Sequence, residues 1–278
     1  AVDWTTAHDR SGRRLMTDLI SSLVDWLFAP MNAMRGHDVS GWLSWHGRLM
    51  ALAWGGLAPL AVFVARFLKI LPGQNWPSRV DNPTWWRIHL HGQLAVFGLT
   101  VTGLVCILVV SAGMPEASVH RFVGYGVVFL AMLQVVSGLL RGSKGGPTDA
   151  TMAGDHYDMT RRRLVFEAVH KGVGYLTIMV AGLCVLLGLQ AANAPNWMWL
   201  SLVVWWVLLG VTAMFIQTRF GAYDTYQALW GPDRKHPGNQ MRKQGWGTVR
   251  PGDLSGAWQE RSGPAGPQSC TGRENDRD

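Results

Sequence analysis

The sequence predicts an all-α membrane protein, a bundle of five transmembrane helices, four of which carry a histidine near their start. Three observations lead there. The 278 residues are 48% hydrophobic and only 15% charged, too apolar for an ordinary water-soluble domain. Five stretches, approximately 46–70, 88–112, 118–140, 166–190 and 197–218, are each apolar enough to cross a hydrocarbon core of roughly 30 Å, which takes about 20 residues. The chain also holds 15 tryptophans, and Trp42, Trp45, Trp76, Trp85, Trp86, Trp197 and Trp199 gather at span ends, where amphipathic rings favour the headgroup region. A water-soluble alternative would need five helices apolar all round in one small domain.

Residues 1–39 form an N-terminal segment. Within it, LMTDLISSLVDWLF over 15–28 places Leu15, Met16, Leu19, Ile20, Leu23, Val24, Leu27 and Phe28 on one stripe, with Asp18, Ser21, Ser22 and Asp25 opposite. That pattern is an amphipathic helix, too short and polar to be a sixth crossing, which rests on the membrane surface or docks a partner. The transmembrane core covers 40–220. Asn82-Pro83 and Pro115-Glu116 suit the starts of the second and third spans, and the Gly-rich loop 141–163 reads as a flexible connection. After about Gly221 the chain turns polar and rich in Gly and Pro, so 221–278 is expected to be a basic, largely irregular tail.

Five crossings put the termini on opposite faces. The N-terminal face, side A, has Arg10, Arg13, Arg14 and Arg35 against Asp3, Asp9, Asp18, Asp25, Asp38 and Glu116. Side B has Lys69, Arg79, Arg87, Arg141, Lys144, Arg161, Arg162, Arg163 and the basic tail. The excess of Lys and Arg makes side B cytoplasmic and side A periplasmic, in a bacterial-type inner membrane. The net charge of +7 is then a consequence of topology, and nucleic-acid binding is not expected. Starting at Ala1 fits either signal-peptide removal or loss of an initiator Met.

Ionisable side chains inside spans are costly and mark function by default. His46, His89, His120 and His170 lie at the starts of four successive spans. Because neighbouring helices run in opposite directions, His46 and His120 belong to side A, and His89 and His170 to side B. Two neutral imidazoles from different helices at one depth, with an apolar slot between them, are what a bis-histidine haem requires. A lone buried histidine is more often a hydrogen-bonded core residue, but two depth-matched pairs favour two b-type haems, and these four spans then carry the haem ligands. Cys106 and Cys184 lie in mid-span and Cys270 in the tail, with no C-x-x-C-H, so the haems would be held without covalent attachment.

Supporting residues follow from spacing. Gly124 and Gly174 stand four residues after His120 and His170, on the same helical face, leaving room for a porphyrin edge or allowing close helix packing. Gln93 shares the face of His89, while His91 points roughly 200° away, so His89 is the expected ligand. Arg141 ends the third span near the face of His120, placed either to pair with a haem propionate or to mark the membrane boundary. His8, His37, His156 and His236 fall in polar segments and read as solvated. Glu167 is the one acid within the first turns of a span.

At these residues the sequence resembles the cytochrome b561 family of di-haem transmembrane reductases, most closely the five-helix branch associated elsewhere with DOMON domains. HGRLMALAWGGLAPLAVFVARFLK from His46 is similar to the family's first core helix, including Trp54 and Pro59. WWRIHLHGQ matches the second around His89, HRFVGYGVVFLAMLQVVSGLLRG the third through His120, Gln134 and Arg141, and VHKGVGY the fourth through His170. The resemblance covers about 40–220. No DOMON domain precedes the core in these 278 residues, and no run matches the family's ascorbate-binding signature. The resemblance implies two b haems passing single electrons across the membrane, with irons about 20 Å apart by helix rise. Donor and acceptor stay open between quinol, an ascorbate-like reductant and a protein partner. The alternatives are a ferric or ascorbate-radical reductase, or a haem-bearing docking subunit of a larger respiratory or photosynthetic complex.

Overall fold

The computed structural model describes residues 4–36, 39–110, 118–142, 155, 159–243 and 245–250. Five helices are long and apolar enough to cross a membrane. They are α2 (Gly41–Phe67), α3 (Thr84–Val110), α4 (Val119–Leu139), α5 (Arg161–Ala191) and α6 (Asn196–Arg219), preceded by α1 (Trp4–Phe28).

Three spans begin about a turn earlier than hydropathy alone indicates, because caps rather than apolar residues set their starts. Ser40 Oγ accepts from Leu43 N at 3.4 Å and Thr160 Oγ1 from Arg163 N at 3.4 Å. Asn82 Oδ1 accepts from Thr84 N at 3.0 Å, consistent with Asn82-Pro83 opening α3. Each cap satisfies an orphan N–H and lets a polar first turn project beyond the hydrocarbon. Pro115-Glu116 and most of the 141–163 loop lie outside the described residues, and the observed cap of α4 is Ser118, accepting from Arg121 N at 3.2 Å.

Within α2, residues Ala51–Leu57 are wound as a π-helix, a local widening that hydropathy does not reveal. Pro59 stands two residues after its end. Lacking an N–H, it cannot donate to the carbonyl four residues back, that of Gly55. Trp206 Nε1 of α6 donates to that carbonyl instead, at 2.8 Å. A Cβ on Gly55 would lie 2.7 Å from Leu202, so the bare backbone is what lets α6 dock on α2.

The core is small-residue packing around one large ring: Ala53, Ala58, Ala131, Ala181 and Cys184 surround Trp54. Small residues suit helix contacts in lipid, where close van der Waals approach replaces the hydrophobic effect. Phe122, Phe129, Met179, Val211 and Phe215 instead stand exposed on the outer surface, as lipid contact demands. Together with the five spans this makes the chain a multi-pass membrane protein.

On side A the end of α1 is fixed to the turn between α5 and α6. Asn196 Nδ2 donates to Trp26 O at 2.9 Å, Asn196 N to Ala29 O at 3.0 Å, and Asn193 Nδ2 to Arg35 O at 2.7 Å. The helix is longer than the stretch 15–28 expected from its stripe, whose residues Leu15, Met16, Leu19, Ile20, Leu23 and Val24 are all exposed.

On side B, residues 221–243 and 245–250 pack onto the end of the bundle. They hold few regular elements: β1 (Ala222–Tyr223), α7 (Thr225–Trp230), α8 (Pro237–Gln240) and β2 (Thr248–Val249), with β1 and β2 paired in parallel. Yet Asp224 and Tyr226 are completely buried. The segment caps the bundle because its polar groups find partners there, a feature that composition cannot register. Asp224 pairs with Arg250 at 2.7 Å, Lys69 Nζ donates to Tyr223 O at 2.8 Å, and Arg66 Nη2 donates to Trp246 O at 3.1 Å. Residues 251–278 lie outside the described part.

Candidate cofactor site

His46 on α2 faces His120 on α4, with ring centroids 6.2 Å apart and planes at 86°. His89 on α3 faces His170 on α5 at 6.5 Å and 79°. All four side chains are half-buried. Two metal–imidazole bonds of about 2 Å each, together with the width of the rings, account for a centroid separation of about 6 Å. Both pairs therefore fit a single metal atom held between them. Among the described residues no three His, Cys, Asp or Glu side chains gather to hold a metal by themselves.

The outer nitrogen of every ring is engaged. Nδ1 of His46 contacts Gly103 O at 2.9 Å, Nδ1 of His89 contacts Ala61 O at 3.2 Å, and Nδ1 of His120 contacts Cys184 O at 3.0 Å. A carbonyl only accepts, so each of these nitrogens carries the proton and Nε2 keeps its lone pair for a metal. Nδ1 of His170 contacts Ser137 Oγ at 3.0 Å, and the side-chain amide nitrogen of Gln134 comes within 2.9 Å of the same ring nitrogen. Each partner belongs to the antiparallel neighbour, so α2 and α3 hold each other's histidine, and α4 and α5 do the same.

The other expected site residues fall at varying distances from this geometry. Gln93 donates to Ala58 O at 3.4 Å and so spends its amide on α2. A Cβ on Gly124 would meet Cys184 Sγ at 3.7 Å, and one on Gly174 would meet Gln134 Oε1 at 3.6 Å; both glycines lie where α4 and α5 touch. Arg141 stacks on Trp86 at 4.6 Å, and burial together with the nearby Arg163 lowers its pKa. His91 is exposed, as its direction on the helix predicts. His236 is not solvated: it is buried in the cap, stacked on Trp230 at 4.2 Å, and burial lowers its pKa. The side chains of His8, His37 and His156 lie outside the described residues.

Around the side-B pair the structure adds an ionic network that spacing did not reveal. Arg163 Nη2 donates to Glu167 Oε1 at 2.8 Å, Lys171 pairs with the other carboxylate oxygen, and the Arg163 guanidinium lies 5.1 Å over Phe166, whose ring stacks on His170 at 5.1 Å. Tyr226 of the cap accepts from Arg163 Nε at 3.4 Å. Beside them Lys69 is almost fully buried, and loss of solvation followed by repulsion from Lys171 brings its pKa down to about 7.

The chain is 26% identical over 194 residues to a cytochrome b561, DM13 and DOMON domain-containing protein of Arabidopsis thaliana, covering 68% of this chain and 20% of that protein. A cytochrome b561 and DOMON domain-containing protein of the same plant is 25% identical over 194 residues, 69% of this chain and 43% of the relative. The chain is a relative of the cytochrome b561 family. Ferric-chelate reductase 1 of Mus musculus is also similar, 29% identical over 177 residues, 61% of this chain and 27% of that protein. The chain thus spans less than half the length of these curated relatives. No family model matches the sequence, and no solved structure matches it. In this cytochrome b561 relative, Pro59 leaves the Gly55 carbonyl free for Trp206, which donates to it at 2.8 Å.

Proposed function

We propose that the chain carries single electrons across a membrane through two b-type haems, one between His46 and His120 on side A, the other between His89 and His170 on side B. The observation that supports this most directly is the matched geometry of the two pairs, with ring centroids 6.2 Å and 6.5 Å apart and Nδ1 of every ring engaged. A haem so held supplies reversible one-electron chemistry, its potential tuned by ligation, burial and hydrogen bonding. The histidines would ligate the haems; the carbonyls of Gly103, Ala61 and Cys184 would fix the tautomers of His46, His89 and His120, and Ser137 contacts the ring of His170. Ala61 marks the depth of His89 on the helix that also carries His46, and fifteen residues at 1.5 Å rise put the two levels roughly 22 Å apart.

Gly124, Gly174, Gln93 and Arg141 complete the proposed surroundings, with Arg141 a cation at the side-B end of α4. The donor is a quinol, an ascorbate-like reductant or a protein, and the excess of Lys and Arg on side B supports a cytoplasmic side B in a bacterial-type cell. The similarity to ferric-chelate reductase 1 favours one second reading, reduction of a small ferric substrate at a haem edge.

The test is a haem-to-protein ratio and reduced-minus-oxidised spectrum on the detergent-purified chain, titrated with quinol and with ascorbate. Two b haems per chain, reduced in two steps, are expected. A chain that purifies folded without haem would sink the proposal.

A further inference from the structure

His120 owes its position to a residue with no side chain. A Cβ on Gly188 would sit 2.9 Å from Cε1, 3.4 Å from Nδ1 and 3.6 Å from Nε2 of His120, and these are the three nearest atoms it would meet. The first of those distances is closer than carbon atoms approach. The ring has little freedom to move aside: Nδ1 is bonded to Cys184 O, one turn back on the same helix, at 3.0 Å, and its plane stands at 86° to that of His46.

The opposite half of the helix pair supplies a control. From His120 to Leu139, α4 is echoed 50 positions later in α5: His120 and His170, Val123 and Val173, Gly124 and Gly174, Tyr125 and Tyr175, Ala131 and Ala181, Gly138 and Gly188. Gly138 therefore stands to His170 as Gly188 stands to His120. Its Cβ, however, would lie 4.0 Å from His170 Cε1, an ordinary contact. His170 Nδ1 meets side chains, Ser137 Oγ at 3.0 Å and the Gln134 amide nitrogen at 2.9 Å, whereas His120 Nδ1 bonds to the backbone carbonyl of Cys184 at 3.0 Å.

We propose that Gly188 is a positioning residue for His120, holding its imidazole plane flat against α5 and perpendicular to His46, and that Gly138 has no such role toward His170. This rests on the two-haem reading. Any Cβ at 188 tilts the ring or lengthens its bond to Cys184 O, changing the ligand field of the side-A haem alone. Ligand-orienting groups of this kind weigh about 10- to 100-fold in metal affinity.

The full chain, purified in detergent as parent, G188A and G138A, would be compared by haem content, potentiometric titration and low-spin ferric EPR, which reports the mutual orientation of two axial imidazoles. H46A identifies the side-A component. G188A is expected to alter or lose that component, with haem affinity lowered by about tenfold or more, while its side-B component matches the parent; G138A should leave both unchanged. Identical spectra and potentials for G188A and parent would overturn the proposal, as would an equal disturbance in G138A. Should G188A fold poorly, H120A/G188A decides: without the ring, a methyl group at position 188 has nothing to strike, and side-B haem content should equal that of H120A. A further loss in the double variant would overturn the assignment. Fewer than two haems in the parent would refute the underlying reading, and is scored before any variant is compared.

Discussion

Arg163 and Glu167 form an ion pair at 2.8 Å, one turn apart on α5, with side-chain exposures of 6% and 9%. Lys171 engages the same carboxylate one turn further on, so a single acid compensates two cations beside the side-B histidines. Glu167→Gln leaves Arg163 buried without its counter-charge, and removing one partner of a buried pair costs on the order of 3 kcal/mol. Thermal unfolding of the detergent-purified chain should show that loss, and E167M/R163M should recover most of it. A Tm for E167Q equal to the parent's would contradict the pairing.

If each pair holds one haem iron, as proposed, His46→Ala and His120→Ala should each remove the side-A haem alone, and His89→Ala and His170→Ala the side-B haem alone. Haem stoichiometry and the redox difference spectrum read this directly. Loss of both haems from every single variant, in chains that remain folded, would refute the pairing.

Ser137→Ala takes away the hydroxyl that contacts His170 Nδ1 at 3.0 Å. The side-B haem should lose about 10- to 100-fold in affinity, with the side-A midpoint potential unmoved. Equal changes in both haems would show a general packing defect instead.

Lys69 supplies the pH dependence. Its pKa falls from 10.5 to about 7, first through burial and then through Lys171, opposed by Asp224 and Glu167 and reinforced by Arg66. With the folded value below the unfolded one, the unfolded chain binds more protons between about 7 and 10.5, so stability rises with pH through that window; below about 7 the whole penalty is present. Relative to K69M, the parent should gain roughly 1 kcal/mol per pH unit across the window. A parent and K69M that change in parallel would place the ammonium in water.

Asp224 is fully buried, pairs with Arg250 at 2.7 Å and accepts from Tyr226 N at 3.0 Å. Asp224→Asn removes the charge facing Arg250, a loss of at least about 1–3 kcal/mol. Amide exchange across 222–230 should accelerate by about tenfold or more while α4 exchanges as before. Unchanged protection in the cap would mean that the pair contributes nothing to holding it.

The residues that announced themselves did so through chemistry that cannot be hidden in an apolar span. His46, His89, His120 and His170 stand out because ionisable groups are rare there, and their division between two sides follows from helices alternating in direction. Gln93 was less legible: helical spacing put it on the face of His89, yet its amide bonds to Ala58 O at 3.4 Å, a choice set by how closely α3 approaches α2. The cap was hidden because Gly- and Pro-rich composition is shared by loops that pack and loops that do not.

The sequence by itself determined the membrane class, the five crossings and the four histidines, since hydropathy, length and rarity are properties of each segment alone. Only the tertiary structure decided which groups hold the rings. Gly103, Ala61 and Cys184 act through backbone carbonyls, which every residue possesses, and Gly188 acts through the absence of a Cβ. Such roles carry no signature in residue type, because they arise from the distance between two helices rather than from either one.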